Sequence, residues 1–350
     1  MSQPNAFNVK ALNIAIGLSI VIMLGWLLIV GKNLLVPIML ALVFWYLLDT
    51  VAERIQSIPF GEKHIPHSFS LLGAFVVAIV FLMFVANMVA SNAEELAKLA
   101  PSYTENIETK IQQLLTLVAP DRDFKLDQFN DILNLQKLVS WTTSLISNIT
   151  STMLLVWIYL LFIFLERSVF NLKFTAIFGE EKDNPQVFKV RNEIMSRIRT
   201  YLTVKTFVSI LTGALSAAAL ALIGVDYPVF WGFIVFLFNY IPTIGSMLAV
   251  LFPAALALVQ FDTSSEFFVV VLLLGGLQFL IGNLLEPKLM GSSLNLSGLV
   301  ILISLAFWGS IWGITGMILS VPMTVVILII CSNFHSTRTI AILLSSKGEI

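Results

Sequence analysis

The sequence predicts an all-α polytopic membrane protein of about six to eight transmembrane helices. Two of its membrane segments read as broken or re-entrant and form a C-terminal inverted repeat, and a small amphipathic helical domain lies outside the bilayer. Three observations carry this expectation. Of 350 residues, 58% are hydrophobic and only 12% charged, against roughly 25% charged in a soluble domain. Apolar runs long enough to cross a hydrocarbon core of about 30 Å recur along the chain. Two further runs are too long for one crossing and are punctured by proline and glycine.

Composition also excludes several functions. Twenty Lys+Arg against 21 Asp+Glu give a formal charge of −1, so no basic footprint for nucleic acid exists. Cys331 stands alone, and His64, His67 and His335 are too scattered for a zinc site, so neither a metal nor a cofactor is expected. The motifs G-x-S-x-G, H-E-x-x-H and G-x-x-x-x-G-K are missing, which argues against an enzyme and against an ATP-driven pump. Any energy source is then a gradient.

The N-terminal unit, 1–90, opens with Ala11–Val30, preceded by Lys10 and read as a retained helix because no small-residue cleavage site follows. Leu34–Leu48, with Pro37 near its start, and Phe69–Ala90 are the second and third spans. Residues 91–140 alternate apolar positions at helical spacing (Leu96, Leu99, Tyr103, Ile107, Ile111, Leu114) and are net acidic, as expected of an amphipathic domain at the membrane edge. Residues 141–165 form the fourth span, and 166–205 a linker with eight basic residues against five acids. Within it Val187, Val190, Ile194 and Ile198 share one helical face, which suits a helix lying on anionic lipid or one coupling the two halves mechanically. The positive-inside rule puts the basic linker in the cytoplasm, the acidic domain on the other side and both termini inside, with the tail 336–350 cytoplasmic.

The remaining region, 206–335, reads as helix plus broken segment, twice. Phe207–Gly224 precedes Phe230–Val259, and Phe267–Leu285 precedes Leu299–Ile330. A straight helix of 30 residues would run about 45 Å, well beyond the hydrocarbon thickness. The first long segment is interrupted around Pro242 and Gly245, the second around Gly309, Gly313 and Gly316, with Pro322 following. Proline removes a backbone donor and glycine admits non-helical backbone. Such backbone is tolerated at membrane depth only where protein buries it or a wet cavity solvates it. Two hairpins entering from opposite sides would form the inverted repeat common in secondary transporters; eight straight spans give the same end-point topology.

The stretches F-N-Y-I-P-T-I-G-S (Phe238–Ser246), G-N-L-L-E-P-K-L-M-G (Gly282–Gly291) and W-G-S-I-W-G-I-T-G-M-I-L-S-V-P (Trp308–Pro322) resemble the AI-2E family of bacterial membrane transporters. The likeness spans nearly the whole chain. It implies an inner-membrane transporter moving by an elevator-like shift of the repeat-containing half, some members exporting the quorum-sensing signal autoinducer-2 and others exchanging sodium for protons. It also implies a homo-oligomer, with a pentamer as the expected state. Some members carry arginines just before the Glu-Pro-Lys element; Gly282 and Asn283 hold those places here, which weighs against cation/proton exchange.

Candidate solute or ion contacts are Asn239, Thr243 and Ser246 at the first break and Thr315 at the second. Gln278, Asn283, Glu286 and Lys288 on the helix between them complete the set. Each has a structural reading as well: amides and hydroxyls can bond the backbone freed by a turn, and Glu286 and Lys288, flanking Pro287, can pair with each other, with a neighbouring helix or with an ion. Pro242, Gly245, Pro287, Gly309, Gly313, Gly316 and Pro322 read as breaks or close-packing points, and Trp141, Trp231 and Trp308 as interfacial anchors. The expected function is secondary transport of a small polar solute or signalling molecule by alternating access. The alternatives are a sodium/proton antiporter using Glu286 and a non-transporting membrane scaffold; lipids and a small solute or ion are the expected partners.

Overall fold

A computed structural model describes residues 6–56, 69–88, 91–92, 135–291 and 294–348. The expected extramembrane domain at 91–140 lies almost wholly outside the described residues, as does the side chain of Trp141. What is described is helical, with one isolated antiparallel bridge, Leu296 to Ser345. The helices are α1 (Ala6–Val30), α2 (Lys32–Gln56), α3 (Phe69–Met88), α4 (Leu135–Phe178), α5 (Pro185–Ile223), α6 (Pro228–Phe238), α7 (Ile244–Gln260), α8 (Ser265–Met290), α9 (Gly298–Asn333) and α10 (Arg338–Leu344). Five of them are long and apolar enough to cross a membrane, and most of their surface faces outward, as bilayer contact requires.

The N-terminal unit packs α2, α3 and α4 together. Ala41, Leu48 and Ala52 of α2 meet Ala74 of α3 and Val156 and Leu160 of α4, and Phe75 stacks edge-on against Trp157 at 4.7 Å. Small residues at this seam let the helices approach closely where lipid offers no competing hydrophobic drive. Beyond its membrane part α4 bends by 67° between 152–167 and 169–178. Arg167, at the bend, pairs with Asp49 at 2.9 Å.

Helix α5 is longer than the sequence reading. The expected span Phe207–Gly224 and the expected linker helix are one rod of 39 residues, about 58 Å at 1.5 Å per residue. It ends where Gly224, at φ 88°, turns the chain back. Its N-terminal half does not lay its apolar face on lipid: Val190, Ile194 and Ile198 pack with Val321, Val325, Leu328 and Ile329 of α9. That stripe is half-buried because α9 runs antiparallel beside it, from the Gln186–Asn333 hydrogen bond of 2.8 Å inward. The mechanical-coupling reading of 187–204 is the one the packing supports.

Both long segments fold back on themselves. Gln260, the last residue of α7, accepts from the Asp226 backbone N–H at 2.8 Å and donates to the Gly224 carbonyl at 2.8 Å. The two ends of the α6–α7 pair therefore lie together, and residues 239–243 form the tip of a hairpin. In α9 the chain departs from helical geometry at Gly313 (φ 62°, ψ −142°). Across that kink Ser304 donates to the Ser320 carbonyl at 3.1 Å and Gly309 faces Met317, so α9 too is a hairpin with its tip at 312–314.

The two repeats are inverted. Helix α5 meets α8 at Lys205–Glu286 and again where Leu220 packs with Val270 and Leu274, a pairing only antiparallel helices make. One hairpin follows the end of α5, and the other follows the end of α8. The open end of α9 lies with Tyr201, Leu202, Met290 and Leu296 at the face carrying α5's basic half, called the basic face below. The open end of α6–α7 lies at the opposite face, beside Gly224.

Candidate functional site

The first break is set by three residues. Asn239 ends α6, Thr243 takes φ 60° and ψ −60°, and Gly245 starts the return helix. A Cβ on Gly245 would sit 1.8 Å from the Phe238 carbonyl oxygen, so only glycine lets the hairpin close. Gly316 plays the same part in α9, where a Cβ would sit 1.9 Å from the Trp308 carbonyl oxygen. Gly313 instead supplies the left-handed backbone of the turn, with open space around its Cβ position. Gly309 abuts Met317, at 3.0 Å from a notional Cβ. Pro242 precedes the strained Thr243, Pro287 enters the last turn of α8, and Pro322 is buried inside the return half of α9.

The tip of the first hairpin docks on the middle of α5. Asn239, buried, donates its amide to Ser209 Oγ at 3.0 Å. Tyr240 donates its hydroxyl to Thr206 at 2.7 Å. Higher up, Gly213 of α5 faces Gly232 of α6 so closely that a Cβ on Gly213 would come within 2.6 Å of the Gly232 carbonyl. Thr243 is exposed, and Ser246 donates to its carbonyl at 2.8 Å. Both hydroxyl-bearing residues thus sit at the outer edge of the tip, while Asn239 faces α5.

One turn of α5 away lies a buried ion pair. Lys205 Nζ is 2.6 Å from Glu286 Oε1, with side-chain exposures of 6% and 18%. Lys288, close in sequence, is exposed and forms no ion pair among the described residues. The Glu286 carboxylate reaches α5 because of a local change in helix type. Residues Ile281–Leu285 form a π turn, and the Glu286 backbone N–H bonds the Ile281 carbonyl five residues back. The buried face of α8 runs Val270, Leu274, Gln278, Ile281, and the extra residue of the π turn puts Glu286 on it. Such bulges cluster at functional positions. Asn283, within the turn, is exposed and bonds the Phe279 carbonyl at 3.2 Å. It sits on the outer side, away from α5.

Gln278 lies on the α5-facing side, buried, and its Nε2 has no partner among the described residues. Thr315 is half-buried just past Gly313. Trp308 is buried and tilted against Trp312 at 5.5 Å, and Trp312 donates to the Leu28 carbonyl of α1 at 3.0 Å. Trp308 is therefore internal packing of the second hairpin rather than an interfacial anchor. The residue the sequence reading passed over is Lys205, grouped there with the basic linker.

Two antiparallel helices, each followed by a hairpin that enters from its own side, and a buried charge pair beside one hairpin tip define an inverted-repeat membrane protein of the kind that transporters use. Comparison with known proteins narrows the class. The sequence profile of the AI-2E family transporter matches residues 18–335, and the chain belongs to that family. It is 31% identical over 346 residues to the AI-2 transport protein TqsA of Escherichia coli K12, covering 95% of this chain and 97% of that one. It is also 26% identical over 353 residues to a Haemophilus influenzae relative, covering 99% of both chains. YhhT of Escherichia coli K12 matches at 27% over 333 residues, 90% of this chain and 88% of that one. The chain is thus a multi-pass membrane protein of a transporter family.

Proposed function

We propose that the protein is a secondary transporter that moves a small polar solute or signalling molecule, autoinducer-2-like in character, by an elevator-type displacement of α5–α9 against α2–α4. The observation that carries this reading is the docking of a re-entrant tip, through Asn239 and Tyr240, beside the buried Lys205–Glu286 pair. Non-helical backbone at membrane depth is tolerated where protein buries it or a wet cavity solvates it, and an ionisable pair within a membrane helix marks a functional candidate. The solute class is supported by the name of the Escherichia coli relative. On this reading the protein sits in the bacterial inner membrane as a homo-oligomer, a pentamer, with the basic face and both termini in the cytoplasm. Asn239, Thr243, Ser246, Gln278, Glu286 and Thr315 would line or flank the path.

The test is flux through proteoliposomes of the purified full chain, loaded with candidate solutes and with and without an imposed gradient. Solute-selective, gradient-following flux is expected; absence of flux for every small solute and ion would overturn the reading. Exchange of sodium for protons is a second reading, favoured by the buried acid Glu286. There Glu286→Gln would abolish pH-dependent exchange, and exchange surviving that substitution would remove Glu286 from the role.

A further inference from the structure

Helix α5 buries a row of polar side chains inside the membrane domain. Tyr201, Lys205, Ser209, Thr212 and Ser216 follow at intervals of four, four, three and four residues, so they share one face. All are buried, Ser209, Thr212 and Ser216 completely. The same face continues with Leu220, which packs with Val270 and Leu274 of α8. Gln278 occupies that same side of α8, two turns beyond Val270. The polar row and Gln278 therefore share the α5–α8 seam.

The row is only partly satisfied. Lys205 has Glu286, Ser209 has Asn239, and Thr212 donates to the Val208 carbonyl at 2.7 Å. Tyr201 Oη, Ser216 Oγ and Gln278 Nε2 have no hydrogen-bond partner among the described residues. Each such orphan costs about 1–3 kcal/mol, and three on one seam call for a partner that fits between helices. At the flank of the seam, one turn before Gln278, no heavy atom of the described residues lies within 4 Å of the place a Cβ on the half-buried Gly275 would take. Water meets the requirement, being small and able to make two to four bonds in a polar cavity.

We infer that the α5–α8 seam is a hydrated half-channel, running from Tyr201 past the Lys205–Glu286 pair to Ser216 and Gln278, about 22 Å along α5. It reaches the surface at Glu286, on the basic side. It stops one turn beyond Ser216 at an apolar plug of Leu220, Val225, Ala254, Ala257, Val270 and Leu274. The plug joins α5 to both α7 and α8, so passage to the opposite face requires these helices to part. The inference adds to the transport reading a wetted route, its contact groups and its closed gate.

Single cysteines introduced into a Cys331→Ser background test it, with the full chain in proteoliposomes and a small methanethiosulfonate as probe. A hydrated thiolate attacks the reagent's thio sulfur, forming a mixed disulfide and releasing methanesulfinate, and an apolar setting suppresses ionisation of the thiol. Ser216→Cys is expected to react at least about tenfold faster than Leu220→Cys, and from the basic face alone. Equal rates at the two positions, whether both inert or both reactive, would overturn the half-channel. Ser216→Val and Gln278→Leu give a second readout in thermal stability: a hydrated seam loses water contacts and stability, whereas a dry seam relieved of orphan groups gains it. Labelling needs no flux. Flux with an inert position 216 removes the half-channel only, and labelling without flux removes the transport reading only.

Discussion

Removing Lys205 is the sharpest perturbation of the site. Its ammonium lies 2.6 Å from the Glu286 carboxylate, with 6% and 18% of the two side chains exposed. Taking away one partner of such a pair leaves an uncompensated buried charge, at a cost of roughly 3–5 kcal/mol. Because Glu286 keeps some contact with the surface, Lys205→Met is expected at the lower end of that range. Removing both charges behaves differently: the double variant Lys205→Met with Glu286→Met should be near neutral, or more stable by about 1–4 kcal/mol, since neither ion is then desolvated. Lys182→Met breaks the exposed Lys182–Glu180 pair, with side chains 74% and 65% accessible, and should change stability by no more than about 1 kcal/mol. Equilibrium unfolding of the purified protein in detergent, arranged as a double-mutant cycle with Glu286→Met as the second single, measures all four variants. A Lys205→Met cost no larger than that of Lys182→Met, or a double variant as unstable as the sum of its singles, would refute a desolvated, mutually dependent pair.

Gly245→Ala and Gly316→Ala should each prevent hairpin closure and abolish a monodisperse peak in size-exclusion chromatography, whereas Gly275→Ala and Gly282→Ala, whose Cβ atoms meet nothing within 4 Å, should elute as the parent does. Gly313→Ala faces no steric wall and only an unfavourable backbone region, so it should cost about 1–3 kcal/mol in unfolding experiments. Ser209→Ala leaves the Asn239 amide unbonded and should cost roughly 1 kcal/mol in thermal unfolding, and Asn239→Ala, which strands the buried Ser209 hydroxyl and empties a buried site, should cost at least as much. Trp312→Phe deletes the bond to the Leu28 carbonyl; a loss of about 0.6 kcal/mol, typical of hydrogen bonds between membrane helices, should appear as a small drop in thermal midpoint.

The breaks were legible because length and composition disagreed with a single crossing: Phe230–Val259 and Leu299–Ile330 exceed the bilayer, and Pro242, Gly245, Gly313 and Gly316 fall near their centres. Glu286 was legible as an acid in an otherwise apolar stretch. Its partner was not, since Lys205 closes a run of basic residues and looks like the last of them. A signal did exist. Lys205 is in phase with Ser209, Thr212 and Ser216, and a polar stripe that carries on into an apolar helix marks a buried face rather than a solvated one. The amphipathic pattern of Val187–Ile198 was read correctly as a pattern but could not say whether lipid or α9 covers it, because both surfaces are equally apolar. Nor could sequence periodicity find the π turn, which changes the count of residues per turn without a distinctive composition: Ile281–Leu285 reads as ordinary helix.

That turn has a further meaning for how the chain tolerates change. Delete any one residue from 282 to 284 and the backbone would relax to regular winding with the glutamate four places past Ile281, still on the α5-facing side; add one, and everything downstream swings by about 100°. After such a gain the glutamate would be carried round toward the lipid with its chemistry intact and its address lost, while Lys205 would be stranded. Substitutions in this short stretch, and the loss of a single residue, are forgiven far more readily than a gain, so natural variation there should alter letters or shorten the stretch but not lengthen it.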